Sequence, residues 1–413
     1  MIPVTSEILH EGVSAYRKNH SCQSVLVHAL EKWREALDNK QCVEVVLMDL
    51  SKAFDCIYHP LLLAKLDAYG FDRSVTKFLH SYLTGRMQRV RVNSTFSSWK
   101  QVLKGVPQGS VLGPCLFNIF LNDLFGFIEK ALLSNFADDN TLTICGNTIL
   151  EVKRYLQMEV ENVMAWFEQN FMQANANKFR LMYLNAENVS SENQLTVRDT
   201  ALNSEGSAKL LGVIIDKNLN FDQHIANLCK KASCQINVLM RFKRILDTAS
   251  KLQIVKSFIL ANFRYCSVIY HFCSRANCRK MEALLERALR YALNDNHSTY
   301  EQMLRTVKLP TLEVDRLRFI VKEVFKIQHN LAPKYLNPLI KQRHIGYGTR
   351  QRFDLEHQTY KGVKYGKHSL RVLIPKLWND LPKKTKALDT IEEFKAAISS
   401  WNGPVCGCYL CTT

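Results

Sequence analysis

Residues 132–145 read LLSNFADDNTLTIC. Leu132, Leu133 and Phe136 lead into Asp138-Asp139, and Thr141, Leu142, Thr143 and Ile144 resume a strand-like pattern. The stretch therefore reads as a β-hairpin with two aspartates at its tip. Taken alone, an adjacent aspartate pair in a turn is more often a solvated turn than a site. Its weight comes from residues 45–55, VVLMDLSKAFD, where a second apolar run stops abruptly at Asp49. A carboxylate at the end of a buried strand lies at a sheet edge, where it can hold a hard cation without being swamped by solvent. Two such ends side by side are what Mg²⁺-dependent phosphoryl transfer requires.

Around these strands the periodicity places helices. Residues 21–38 have helical spacing, with Val25, Leu26, Ala29, Leu30 and Trp33 on one face and Ser21 as cap. Pro60 opens a helix that Gly70 stops. Residues 87–103 alternate around a polar break at Asn93-Ser94 and read as a hairpin, and Pro114 begins an apolar helix to about Leu124. A long amphipathic helix is expected over 148–170 and strands over 180–184 and 209–216, with a polar loop or irregular strand pair over 185–208. This alternation suggests an α+β core with helices on one face. From Asp222 onward the pattern is helical, and residues 341–370 are expected to be a flexible basic segment.

The chain has 413 residues, enough for two or three domains, and its 47% hydrophobic and 23% charged content is ordinary for globular protein. The uncharged stretch Gly105 to Asn122 is broken by Gly, Pro, Gln and Asn, so no membrane span is expected. The start, MIPVTSEILHEG, lacks the form of a secretory signal, and 13 cysteines without a framework suit reduced thiols. An intracellular protein of nucleus or cytoplasm is the expectation. Charge is uneven. Residues 1–208 hold 20 Lys/Arg against 22 Asp/Glu, and residues 209–413 hold 35 against 16, so net −2 and +19 make up the +17. A strongly basic half points to a polyanion such as nucleic acid, the plainer alternative being a solvated basic surface.

Three further features bear on chemistry. Phe54, five residues after Asp49, offers a flat ring that would press on a sugar and leave no room for a 2′-hydroxyl; on its own it reads as a core aromatic. Asp55 would brace the following helix or touch substrate. In GVPQGSVLGP, glycines around Gln108 let backbone approach a base pair or sugar closely, though PQG alone is usually just a loop.

Joined in order, these segments carry a resemblance. VVLMDLSKAFDCIYHPLLLAKL (45–66), KGVPQGSVLGPCLFNIFLNDL (104–124) and NFADDNTLTICG (135–146) resemble the A, B and C motifs of reverse transcriptases of LINE-type (non-LTR, jockey-like) retrotransposons. AWFEQNFMQANANKFRLMYL (165–184) resembles motif D, and KLLGVIIDKNLNFDQHI (209–225) the primer-grip motif E with the start of the thumb. VSAYRKNHSCQSVLVHAL (13–30) resembles the fingers segment before motif A, and PKLWNDLP with FKAAISSW (375–382 and 394–401) the ends of such reading frames.

The resemblance implies a right-hand polymerase of α+β class: partial fingers over 1–40, a mixed or antiparallel palm with a fingers insertion over 41–208, primer grip and helical thumb over 209–300, and a basic region over 301–413. It implies RNA-directed DNA synthesis from dNTPs on an RNA template and a DNA primer. Asp49, Asp138 and Asp139 would be the catalytic ligands of Mg²⁺, with Mn²⁺ as an alternative. Leu50, Ser51, Phe54, Gln108 and Gly109 would line the nucleotide, and Lys178 would protonate the leaving pyrophosphate. Phe179 departs from the small polar residue the family usually has there. An earlier arginine-bearing fingers segment and an endonuclease-like domain have no counterpart, so an N-terminally truncated copy is expected, with Arg17 and Lys18 as basic residues near the nucleotide. A catalytically inactive nucleic-acid-binding remnant is the alternative. An RNA-dependent RNA polymerase is a third option that Phe54 disfavours. Cys406, Cys408 and Cys411 offer three thiols without a clear fourth ligand, which argues against a closed zinc site.

Overall fold

The strand that ends at Asp49 is the hub of the first half of the fold. The computed structural model describes residues 8–185, 194–242, 245–343 and 354–404, so Cys406, Cys408 and Cys411 lie outside the described residues. The chain divides into two compact units, Met1–Ser21 with Gln41–Glu205, and Cys22–Lys40 with Gly206–Thr413. The break falls at 205/206, and residues 22–40 group with the second unit rather than with residues 1–21.

In the first unit β1 (Cys42–Asp49) is followed by four two-residue strands, β2 (Met87–Gln88), β3 (Arg91–Val92), β4 (Thr95–Phe96) and β5 (Lys100–Gln101). Then come β6 (Leu132–Phe136), β7 (Asp139–Gly146) and β8 (Arg180–Leu184). The main sheet has the order β6-β7-β1-β8, every pair antiparallel. Alternate residues of a strand face opposite sides. Val46 and Met48 of β1 join Leu142, Ile144 and Leu181 in a core with Val152, Leu156, Val160 and Val163 of the helix Ile149–Gln169. That helix starts where Thr148 accepts a hydrogen bond from Glu151 N, and its apolar residues recur at three- and four-residue spacing. Val43, Val45 and Leu47 face the other way and are buried as well.

The expected hairpin over 87–103 is present as two nested ladders, β2 with β5 and β3 with β4, closed at Asn93 (φ 53°). The apolar helix spans Leu112–Leu121 and continues as a 3₁₀ turn, Asn122–Phe127. The polar stretch before 206 contains a short pair, β9 (Leu195–Val197) and β10 (Thr200–Leu202).

The second unit opens with the hairpin β11 (Ser207–Leu210) and β12 (Val213–Asp216). Asp216 then accepts hydrogen bonds from the backbone N–H groups of Asn218, Asn220 and Phe221, setting up the helix Asp222–Arg241. This helix packs on Arg275–Leu293, with Ile225, Ala232, Ile236 and Leu239 facing Met281, Leu285 and Leu289 as buried residues. The basic segment expected to be flexible is instead tied down where it is described. Lys361 N and Gly362 N donate to Asp38 of the helix Cys22–Asp38, and Arg371 pairs with the same carboxylate at 2.7 Å. A buried carboxylate needs such donors, and here they come from more than 320 residues away. Among the described residues no helix is long and apolar enough to cross a membrane.

Candidate active site at the strand ends

β1 and β7 place Asp49 opposite Asp139 on their last rung, and Asp138 occupies the turn just before β7. The turn is held by two buried asparagines. Asn135 Nδ2 donates to Ala137 O (2.7 Å) and Asn140 Oδ1 (2.9 Å), and Asn140 Nδ2 donates to Asp138 O (3.2 Å). Ala137 adopts a left-handed φ of 55°, which swings the chain so that consecutive aspartates leave the sheet end. Asn135 and Asn140 were not singled out from the sequence, where polar residues beside a turn carry no signal of burial.

The carboxylates themselves are sparsely served. Among the described residues no donor is hydrogen-bonded to the Asp138 or Asp139 carboxylate. Asp49 Oδ2 is met by Lys178 Nζ at 3.0 Å, both side chains partly open to solvent. Asp139 has an exposed surface, yet desolvation by the surrounding protein pushes its pKa up to about 6, and the charges of Asp138 and Asp49 add to the rise. Like charges crowd at one sheet end, and among the described residues only the Lys178 ammonium forms a salt bridge with them, an arrangement that favours a cation.

The turn after Asp49 is more occupied than expected. Leu50 is 3% exposed and bridges Ala174, and the Ser51 N–H donates to Gln173 O at 2.9 Å, so that N–H is already committed. Phe54 is half-buried, stacked on Phe117 with ring centroids 4.4 Å apart, while Tyr16 meets it edge-on at 6.3 Å. Tyr16, 64% exposed with φ 56°, is a site-side aromatic to which none of the motifs pointed. Gln108 Nε2 donates to Asp55 Oδ1 (3.1 Å), and Val106 N donates to Phe54 O, so the PQG loop and the Asp49 turn are laced together. Gly105 is required there: with φ +88°, a Cβ would lie 2.8 Å from Asp55 Cα. Gly109 is exposed with φ +80°, which a side chain rarely tolerates. Arg17 donates to the carbonyls of His10 and Val13, so its guanidinium serves the fold of its own segment.

A second feature was missed. Every residue from 84 to 101 is exposed. Residues 73–122 contain seven Lys/Arg and no Asp or Glu, inside a half of net −2. On this arm Arg89 lies over Phe96 (3.9 Å) and Trp99 (4.6 Å), and Arg91 over Phe96 (5.4 Å). Charge summed over a 50-residue window, rather than over each half, would have revealed it.

Over residues 1–215 the chain matches the family model described as reverse transcriptase (RNA-dependent DNA polymerase). The chain belongs to the reverse transcriptase family. The probable RNA-directed DNA polymerase from transposon BS of Drosophila melanogaster is 29% identical over 299 residues, covering 68% of this chain and 32% of that protein. The RNA-directed DNA polymerase from mobile element jockey of Drosophila funebris is 26% identical over 338 residues, covering 79% and 36%. The chain thus spans about a third of the length of these curated relatives. Apo telomerase from Candida tropicalis is similar in structure with a TM-score of 0.40 at 12% identity, covering 75% of this chain and 54% of that one. The likeness to non-LTR, LINE-type elements read from motifs A to C is matched by these relatives, and the α+β class is that of the reverse transcriptase family.

Proposed function

We propose that this reverse transcriptase chain extends a DNA primer with dNTPs on an RNA template, with Asp49 and Asp138 at the reacting centre. The observation that carries the reading is the last rung of β1 and β7, which sets Asp49 against Asp139 with Asp138 in the adjoining turn. Divalent-metal dependence goes with the family, and Mg²⁺ is the ion proposed here. The donors fit a hard cation: carboxylate oxygens, so desolvated and so close to one another that Asp139 resists ionisation. Among the described residues no group of three or more His, Cys, Asp or Glu closes into a metal cage. Mg²⁺ needs none, because it is commonly held by one or two carboxylates with substrate phosphates completing the shell. When bound, such ions stabilise the attacking and leaving oxygens of an in-line displacement.

The chain's own residues supply the rest. Asp139 deepens the negative field beside the two ligands. Lys178, held at Asp49, is placed to give its proton to the departing pyrophosphate. The Phe54 ring, fixed against Phe117, excludes a 2′-hydroxyl and so selects deoxynucleotides. Gln108, braced by Asp55, and Gly109 face the base pair or the incoming nucleotide. The exposed arm of Arg89, Phe96 and Trp99 offers stacking surfaces and positive charge to single-stranded template.

The test is extension of a primed RNA template with dNTPs, with and without Mg²⁺, by the chain and by its Asp138→Ala variant. Extension that needs both Mg²⁺ and Asp138 is expected. Extension by the variant would overturn the site. Nucleic-acid binding without extension by the unaltered chain would identify the inactive remnant instead, and a preference for rNTPs an RNA polymerase.

A further inference from the structure

In the second unit, far along the chain from the carboxylates, two thiols and a buried guanidinium form a cluster that polymerase chemistry does not use. Cys273 lies just before the helix Arg275–Leu293, which Ser274 caps by accepting a hydrogen bond from Asn277 N, and Cys278 lies in that helix's first turns. Their sulfurs are 3.5 Å apart. Arg316, from the helix Leu312–Gln328, is 2% exposed. Its Nη2 donates to Cys278 Sγ at 3.3 Å, while its Nε and Nη1 find no partner and none of the described residues forms a salt bridge with it. Glu282, one turn beyond Cys278, has its oxygens engaged by Tyr300 Oη and Glu313 N.

A buried, always-charged guanidinium without a salt-bridged carboxylate is costly unless some nearby anion answers it. The atom that it touches is a sulfur, and a sulfur becomes that anion by losing its proton. We propose that Cys278 and Cys273 are a redox-active dithiol, with Cys278 Sγ the nucleophile and Cys273 Sγ the resolving thiol, responsive to hydroperoxides. The Cys278 thiolate attacks the terminal peroxide oxygen; the O–O bond breaks, hydroxide leaves from hydrogen peroxide or alkoxide from an organic hydroperoxide, and sulfenic acid forms. The Cys273 sulfur then attacks that sulfenic sulfur, forming the S–S bond and releasing water with the Cys273 proton. Two electrons pass from the sulfur pair to the peroxide, and a thiol reductant reverses the step.

The acidities agree with this division. The hydrogen bond with Cys273 lowers the Cys278 thiol to about 7, against desolvation and the charges of Glu313 and Glu282 and with help from Arg316, while Cys273 is driven upward by sharing its proton with Cys278. Both residues are only half-buried, so a small oxidant reaches them. Bond formation asks the sulfurs to close from 3.5 Å to about 2 Å, a shift that a loop residue facing a helix can make.

The test is differential alkylation with iodoacetamide at pH 7, followed by peptide mass mapping before and after hydrogen peroxide. Cys278 is expected to react roughly tenfold faster than exposed Cys234. Peroxide should then join Cys273 to Cys278 with loss of two hydrogens, reversibly by dithiothreitol. The Cys273→Ser variant, which keeps Arg316 in place, should stop at a sulfenic acid on Cys278 that dimedone captures. Equal alkylation of Cys278 and Cys234, or oxidation scattered over the cysteines without a 273–278 link, would overturn the proposal. So would a tightly held zinc ion released by chelator.

Discussion

Glu159 and Asp138 belong to the same unit and carry the same functional group, yet the fold treats them in opposite ways. Glu159 is fully buried, and its carboxylate accepts hydrogen bonds from the backbone N–H groups of Glu129, Lys130 and Ala131, the run that leads into β6. Asp138, with Asp139, stands at a strand end without one bonded donor among the described residues. A carboxylate that holds a fold together is saturated by the protein. One that serves a ligand is left with open lone pairs, desolvated by the surrounding protein and repelled by its neighbours, as the raised pKa of Asp139 records. The second unit repeats the structural pattern at Asp38, where desolvation alone would raise the pKa but Gly362 N, Lys361 N and Arg371 outweigh it and hold it down.

The same truncation at both positions gives the sharpest contrast. Asp138→Ala is expected to cut primer extension by about 10³-fold or more while leaving thermal stability almost unchanged, since no protein hydrogen bond is lost. Glu159→Ala removes the buried acceptor of three N–H groups and should cost about 2–4 kcal/mol of stability, with activity per folded molecule intact. Thermal melts and single-turnover extension on both variants check this. A destabilised Asp138→Ala protein, or a Glu159→Ala protein of normal stability, breaks the contrast.

The division between these two kinds of carboxylate also marks what was legible in the sequence. Asp49, Asp138 and Asp139 end apolar runs, and the period-2 alternation around them announces strands whatever lies elsewhere in the chain. The antiparallel sheet, the helix over 149–169 and the meeting of Asp49 with the Asp138-Asp139 hairpin were therefore readable. Glu159 sits among alternating polar and apolar residues of a helix, where nothing distinguishes it from solvated Glu161. Its donors lie about 30 residues away, and those of Asp38 more than 320. The supposed looseness of 341–370 failed in its described part for the same reason. Backbone amides that satisfy a distant carboxylate leave no trace in composition. That the Ser51 N–H is already taken up was hidden likewise, because the Gln173 carbonyl that accepts it belongs to another turn.

Glu44 is a third kind, buried but not saturated. It lies on β1 opposite Tyr183 of β8, fully enclosed, and neither carboxylate oxygen makes a hydrogen bond of normal geometry. Desolvation pushes its pKa from 4.5 up to about 7, although the nearby Tyr183 hydroxyl and Lys153 pull it down. The unfolded carboxyl loses its proton first. Between about 4.5 and 7 the folded state therefore holds the extra proton, and stability falls as pH rises through that window. Glu44→Gln should flatten this slope and raise stability at pH 8 by roughly 1–3 kcal/mol. Melts from pH 4 to 8 decide it; an unchanged slope would show that Glu44 already finds a proton donor or counter-charge in solution.

The smallest effect concerns the basic arm, where the contrast between groups kept for the fold and groups kept for a ligand moves from carboxylates to cations. Arg371 is largely enclosed against Asp38, whereas Arg89 lies over the rings of Phe96 and Trp99 on an arm whose residues are all exposed. Exposed aromatics with guanidinium planes over them bury little surface in the protein itself, so their loss should hardly move the melting temperature. Against single-stranded RNA they present ring faces for bases and charge for phosphates. Trp99→Ala is expected to weaken binding of a single-stranded RNA oligonucleotide by about 1–2 kcal/mol, roughly 5- to 30-fold. Arg89→Gln should reduce the steepness of the salt dependence by about 0.7 in the slope of log K against log salt, one phosphate contact's share for a single strand. Fluorescence anisotropy across a salt series reads both. If Trp99→Ala instead lowers the melting temperature and leaves affinity unchanged, the arm is held by the fold as Arg371 is, and the template path lies elsewhere.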